Sequence, residues 1–259
     1  MTLQRYNKSI SAESFYKLIL IWMGQDNDFM KKLQIYHGSP RIVEEPAWGV
    51  GKAYNDYGTG FYCTQQAELA KEWACTEGRD GYVNHYEIQT KGLQILDLSL
   101  DTYTMLHWLA LLVTYRRLRL SSPVMRQGIK WLQQHFLVDL SAYDIVKGYR
   151  ADDSYFSFAR AFVANEISYE QLCRAMRLGR LGEQFVLKSQ KAFEQIQFIS
   201  YETVDHEVYY TRRKARDDKA RNEYFAESER DDLDGIFMRD IIREEMKPED
   251  VRLRSKISG

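Results

Sequence analysis

The segment Leu33-Gln34-Ile35-Tyr36-His37-Gly38-Ser39-Pro40 reads as a short strand running into a turn. An apolar stretch, Leu33–Tyr36, meets a histidine followed by three turn-forming residues. Downstream, Trp48–Gly60 holds four glycines (Gly49, Gly51, Gly58, Gly60) and reads as an irregular loop that delivers a second strand, Phe61-Tyr62-Cys63. Thr64 is placed to cap the next helix, which carries Ala67, Ala70, Trp73 and Ala74 along one face. Working outward, strands are predicted at Tyr82–Ile88, Leu93–Leu98, Tyr143–Lys147, Gln184–Lys188 and Gln197–Tyr201. Helices are predicted over 11–32, over 102–136 with a break at Ser121-Ser122-Pro123, over 154–165, 169–178 and 189–196. Ser168 with Gln171 three residues on is a capping box. Helices and strands without strict alternation indicate an α+β fold rather than a doubly wound sheet.

Composition narrows the function classes. The chain has 259 residues with 36 basic and 37 acidic side chains, so it is not a globally basic nucleic-acid binder. Three cysteines (Cys63, Cys75, Cys173) argue against a disulfide framework and for a reducing compartment. The longest apolar run, Met105–Val113, covers about half of the roughly 20 residues that a membrane span needs. The N-terminal MTLQRYNKSI lacks a secretory pattern, so the expected location is cytoplasmic and no membrane partner is expected. Beyond residue 202 the chain turns charged. Arg212–Arg221 holds six basic and two acidic residues, read as a solvated helix face or a partner-binding surface. Apolar residues Leu233, Ile236, Phe237, Ile241 and Ile242 are placed to pack this tail on the domain. The organisation read from the chain is a helical extension over 1–32, a domain over 33–201 with a helical insertion at about 102–136, and a helical extension over 202–259.

The histidines (His37, His85, His107, His135, His206) are scattered, with no metal-ligand spacing, so no metal is expected. The glycine-rich stretch leads into a strand and offers no helix N-terminus to a phosphate. A three-part pattern stands out instead: His37 and Gly38 at a strand end, Tyr62 after the glycine loop, and Glu183-Gln184 on a late strand, with Trp73 on the intervening helix. A histidine offers one donor and one acceptor to sugar hydroxyls. A glycine lets its peptide groups approach a flat amide closely. Aromatic faces stack on planar rings, and a glutamine amide grips a hydroxyl pair. Strand alternation places Gln184 on the opposite face from Glu183, Phe185 and Leu187, and so in the cleft if that apolar face is core. His37 as a backbone-satisfied turn histidine, and Tyr62 and Trp73 as ordinary core aromatics, are the alternative readings.

These elements resemble the ADP-ribosyltransferase superfamily, in its diphtheria-toxin and poly(ADP-ribose)-polymerase branch with a His–Tyr–Glu signature. The segments YHGS, DYGTGFYCT, AKEWA, VNHYEI, YDIVKGYRADD and QFVLKSQKA are similar to an uncharacterised bacterial family, a domain of unknown function that usually carries DFG where this chain has Asp56-Tyr57-Gly58. The resemblance implies an ADP-ribosyltransferase-like fold, two small antiparallel sheets forming a cleft, that binds NAD as its substrate. It implies that His37, Gly38 and Ser39 hold the ribose and carboxamide, that Tyr62 and Trp73 sandwich the nicotinamide, and that Gln184 stands where the superfamily has its catalytic glutamate. His37, Tyr62 and Gln184 are then the catalytic candidates.

An amide keeps the hydrogen bond of a carboxylate and loses its charge, and a charge-assisted bond is roughly twice as strong. Slower turnover and no chain elongation follow, with Glu183 or Asp153 as alternative sources of charge. Asp152-Asp153 also reads as a simple helix cap. By the same resemblance the chain is a mono-ADP-ribosyltransferase acting on a macromolecular acceptor, protein or nucleic acid, in the manner of a bacterial toxin paired with an antitoxin protein. A catalytically weak NAD-binding or interaction module, and an NAD glycohydrolase, are the alternatives.

Overall fold

A computed structural model describes residues 32–151, 153–178, 182–229, 232 and 234–254. The helix expected over 11–32 falls outside them except at Lys32, as do Asp152 and Leu233. In chain order the elements are β1 (Lys32–Ser39), β2 (Phe61–Cys63), α1 (Ala67–Ala74), β3 (Gly81–Gln89), β4 (Ile95–Asp97), α2 (Met105–Tyr115) and α3 (Pro123–His135). After a 3-10 turn at Leu140–Ala142 come β5 (Ile145–Tyr149), α4 (Asp153–Val163), α5 (Tyr169–Leu178), β6 (Glu183–Leu187), α6 (Gln190–Phe193) and β7 (Ile196–Val204). Three further helices close the described chain: α7 (His206–Ser228), α8 (Met238–Arg243) and α9 (Val251–Arg254).

The α+β class holds, with two small sheets. One is antiparallel, in the order β1-β3-β7; the other runs β2-β6-β5-β4. The second is not purely antiparallel as expected, because β4 pairs with β5 in parallel, Ile95 opposite Ile145. Parallel neighbours need a long crossover, and α2 and α3 supply it. The helices read as an insertion are therefore the connection that makes this sheet possible. They also supply its core: Met105–Val113 are all buried, as are Met125, Leu132 and Phe136. At about 1.5–3 kcal/mol per fully buried large apolar side chain, the run Leu106–Leu112 is a main source of stability. No helix among the described residues is long and apolar enough to cross a membrane.

Local signals explain the boundaries. The break at 121–123 is a helix start, with Ser122 Oγ accepting the Met125 N–H at 3.1 Å and Pro123 in the first turn. The capping box at Ser168 is present: Ser168 N–H donates to Gln171 Oε1 (2.8 Å) and Gln171 N–H to Ser168 Oγ (3.1 Å). Thr64 does not cap α1. Gln66 holds that position, and Thr64 instead accepts the Gln66 N–H at 3.2 Å. β5 runs two residues past its expected end, because Gly148 does not stop it. Gly148 pairs with Gln184, and any Cβ there would collide with the Tyr57 side chain.

The two sheets meet at one backbone bridge. Tyr36 N–H donates to Thr64 O (2.8 Å) and Thr64 N–H to Tyr36 O (2.9 Å), tying the free edge of β1 to the end of β2. Between the sheets lies a core of Ile35, Cys63, Tyr86, Ile88, Ile145, Phe185 and Leu187. Helix α1 packs across β1 and β3 above Val83 and Val204. This seat leaves no room at two glycines. A Cβ on Gly81 would stand 2.8 Å from the Ala74 Cβ and closer still to its carbonyl, and Gly38 is pressed against Ala70 and Ala74 in the same way. The C-terminal extension is integrated with the rest. Tyr169 N–H donates to Ile236 O (2.7 Å), its hydroxyl donates to Leu253 O (2.9 Å), and Ile241 is fully buried.

Gly81→Ala is expected to destabilise the protein by about 1–3 kcal/mol, the cost of overpacking. The shift of a urea-denaturation midpoint against wild type measures it.

Candidate functional site

A cleft of about 680 Å³ opens where the sheets part, a size within the roughly 300–1,000 Å³ of ligand pockets. Its lining includes every residue of the main expected set: His37, Gly38 and Ser39 from β1, Tyr62 from β2, Trp73 from α1 and Gln184 from β6. Glu183 is not among them. Its carboxylate pairs with Lys147 at 3.0 Å, on the other side of the strand. Asp153 opens α4, and its side chain lies outside what is described.

His37 is held on two sides. Nδ1 donates to the Tyr62 carbonyl at 2.7 Å, and the ring rests 4.4 Å from that of Phe61. A carbonyl only accepts, so in the neutral imidazole Nε2 is the acceptor. Burial pushes the His37 pKa down, against the pull of the Tyr62 carbonyl, and so favours that neutral form. The backbone-satisfied reading of this histidine is thus true of one nitrogen. Gly38 follows from strand alternation: the peptide groups of Tyr36 face Thr64, so those of Gly38, two residues on, face the same free edge of β1.

The Tyr62 hydroxyl is fully used. It donates to Gly58 O (2.6 Å) and accepts the Tyr57 N–H (3.0 Å), which pins the end of the glycine loop, and burial drives its pKa far up. Tyr62 can therefore offer a ring face and no acid–base chemistry. Lys188 staples the same loop from below, donating to the carbonyls of Tyr57 and Thr59 at 2.6 Å each, and burial lowers its pKa to about 8. Gly58 takes φ +73°, which an L side chain rarely adopts. Trp73 is engaged on one face, where the Arg150 guanidinium lies 4.4 Å from the ring centre, so the expected two-ring sandwich has only its other face to use.

The floor of the cleft holds the residue that sequence reasoning missed. Asp56, 4% exposed, accepts from Ala151 N–H (2.9 Å), from Gln184 Nε2 (2.8 Å) and from Arg116 Nη1 (3.1 Å). Burial raises its pKa, and those three donors oppose the rise. By taking Nε2, Asp56 fixes the Gln184 amide, and Gln184 Oε1 is left buried with no hydrogen-bond partner among the described residues. A buried acceptor left unsatisfied costs about 1–3 kcal/mol, so this atom takes a donor that enters the cleft, whether water or a ligand hydroxyl. Trp73 Nε1 is likewise buried without a partner among the described residues. Asp56 sits in a DYG turn sequence, and turn chemistry hid its role. Arg116 binds Asp56 and lines the cleft; Arg150 and, from α7, Arg213 line it too.

The basic run Arg212–Arg221 is not a free patch. Arg212 pairs with Glu68 (3.2 Å) and Arg216 with Glu72 (2.8 Å), both on α1. Among the described residues one group has metal-ligating atoms close together, the exposed Asp80 and Asp205 with the half-buried His206. There Asp80 Oδ1 accepts both the backbone N–H of His206 (2.9 Å) and its Nδ1 (2.7 Å), the geometry of a helix cap for α7.

A family model described as "Protein of unknown function (DUF3990)" matches residues 33–198. No curated protein and no solved structure matches.

Gln184→Glu is expected to destabilise the fold by on the order of 3 kcal/mol, because it sets a second carboxylate against the buried Asp56. Adding Asp56→Asn to that variant should restore part of the loss, since it removes the second charge while leaving the Ala151 N–H or Arg116 short of an acceptor. Denaturant unfolding of the two variants beside wild type tests it. His37 gives a pH prediction. Its folded pKa is below the ordinary 6.5, so its contribution to stability is full above 6.5 and is lost as pH falls through the lower folded value. The stability difference between wild type and His37→Gln should shrink as pH drops below 6.5, read from melting temperatures across a pH series.

Proposed function

The match over residues 33–198 makes the chain a member of the DUF3990 family, and we propose that it is an NAD-dependent mono-ADP-ribosyltransferase whose cleft cleaves the nicotinamide–ribose bond. One observation carries the reading. Six residues drawn from four separate elements, His37, Gly38, Ser39, Tyr62, Trp73 and Gln184, line a single cleft. The superfamily that the sequence resembles uses such residues to hold NAD.

The donor set suits that substrate. The Gly38 peptide groups lie at a free strand edge, where a flat carboxamide can pair with both. The Tyr62 ring, fixed through its hydroxyl, is a wall on which a planar ring can lie. His37 Nε2 and Gln184 Oε1 are acceptors for ribose hydroxyls, and a lone acceptor on Gln184 is what a hydroxyl donor satisfies. NAD supplies a positively charged leaving group.

The chain's residues orient the glycosidic bond and accept hydrogen bonds from the sugar as positive charge grows on it. Gln184 meets that charge with a dipole alone, while the nearby carboxylate of Asp56 is shared with Arg116. Turnover slower than that of a glutamate site is the consequence. The acceptor would be a macromolecule, protein or nucleic acid, and a toxin held by an antitoxin protein fits such a chain. The same amide also favours a second reading, a module that binds NAD and transfers nothing. A glycohydrolase differs only in passing ADP-ribose to water.

Incubation with NAD labelled in the nicotinamide separates these readings. Release that falls at least tenfold in both His37→Ala and Tyr62→Ala is the expected result. Tight NAD binding without release indicates the module. Release with no label retained on macromolecules, when the label is in the adenosine half, indicates the glycohydrolase.

A further inference from the structure

We propose that Arg213, on the helix following the family domain, holds the diphosphate portion of a nucleotide ligand in the cleft. The inference rests on the NAD reading and names the part of that ligand which this chain's own C-terminal extension recognises.

Charge is segregated at the cleft. Five basic side chains line it against two acidic ones, although the whole chain carries a net charge of −1. Three of the five are engaged: Arg116 with Asp56, Arg150 over Trp73, and Lys52 over the Tyr54 ring at 5.9 Å. Arg41 is exposed at the rim. Arg213 differs from all of them. It is half-buried, lines the cleft, and makes no ion pair or hydrogen bond among the described residues. The acid that feels it, Glu72, is paired with Arg216 instead.

The helix is built to hold Arg213 there. Arg212 and Arg216 lie one turn apart and grip Glu68 and Glu72 of α1, with Tyr209 adding a hydroxyl to Glu68 at 3.2 Å. Both partners of the Arg216–Glu72 pair are more than four-fifths buried, so this rung resists screening better than a surface pair. The Asp80 cap fixes where α7 begins, and Ala220 is buried further along. Position 213 is then turned by about 100° from position 212, off the α1 face and towards the cleft. A half-buried guanidinium carried on an anchored helix, with no ion pair among the described residues, is an anion subsite, and its planar fork suits phosphate oxygens. Helix α7 lies after residue 198, so this subsite is an addition to the matched domain.

The test compares ADP with adenosine, titrated calorimetrically into the full chain, into Arg213→Gln and into Arg213→Lys. Equal melting temperatures establish that the variants are folded. Wild type should bind ADP more tightly than adenosine. Arg213→Gln should lose about tenfold in ADP affinity, the scale of one charge-assisted hydrogen bond. Arg213→Lys should fall between the two, and adenosine binding should not change. Equal ADP affinity in wild type and Arg213→Gln overturns the inference, as does a wild type that binds ADP no better than adenosine, or an equal loss for adenosine. The two proposals fail separately. Nicotinamide release with an ADP affinity indifferent to residue 213 removes only the Arg213 subsite. An Arg213-dependent ADP preference without nicotinamide release removes the transferase reading and leaves the anion subsite standing.

Discussion

The carboxylate of Asp56 joins four parts of this molecule that are distant in sequence. It takes a backbone N–H after β5, the amide of Gln184 on β6 and the guanidinium of Arg116 after α2, while belonging itself to the glycine loop before β2. A buried carboxylate is costly unless its oxygens are satisfied, and here three donors share that work. Removing any one would leave the buried carboxylate short of a donor, so the four elements are coupled through this group. The coupling also sets the chemistry of the cleft, because the orientation of the Gln184 amide follows from which of its atoms Asp56 takes.

Around that node the chain uses rigid attachments to frame an opening. The Tyr36–Thr64 bridge brings the sheets together just before His37, and beyond it no backbone pairing spans them among the described residues. The glycine loop would otherwise be a liability beside a cleft. Tyr62, Lys188 and Tyr57 turn it into a wall: Tyr62 and Lys188 bind its carbonyls, and the Tyr57 hydroxyl reaches Tyr149 O at 2.7 Å. Gly148 leaves the space for that last bond, since any Cβ there would collide with the Tyr57 hydroxyl.

Much of the fold was legible because it rests on local rules. The seven strands, the start of α3 at Ser122-Pro123 and the Ser168–Gln171 box all follow from periodicity and capping chemistry. The place of Gln184 in the cleft was legible for a related reason, since strand alternation alone separates it from Glu183. What stayed hidden depends on partners far along the chain. Asp56 looks like any aspartate in a turn until Gln184 and Arg116 arrive 128 and 60 residues later. Arg213 looks like one cation in a charged run until Glu68 and Glu72 claim its neighbours.

The sequence by itself determined the α+β class, the placement of strands and helices, and much of the set of residues that line the cleft, because hydrophobic period and turn chemistry act over a few residues. Only the tertiary structure decided the parallel pairing of β4 with β5, the commitment of the Tyr62 hydroxyl to its own loop, and the hold of Asp56 on Gln184 Nε2 that leaves Oε1 free of the other described residues. Those outcomes depend on which buried polar groups find one another once the chain has collapsed, and no local pattern encodes a hydrogen bond between residues that meet only in the folded state.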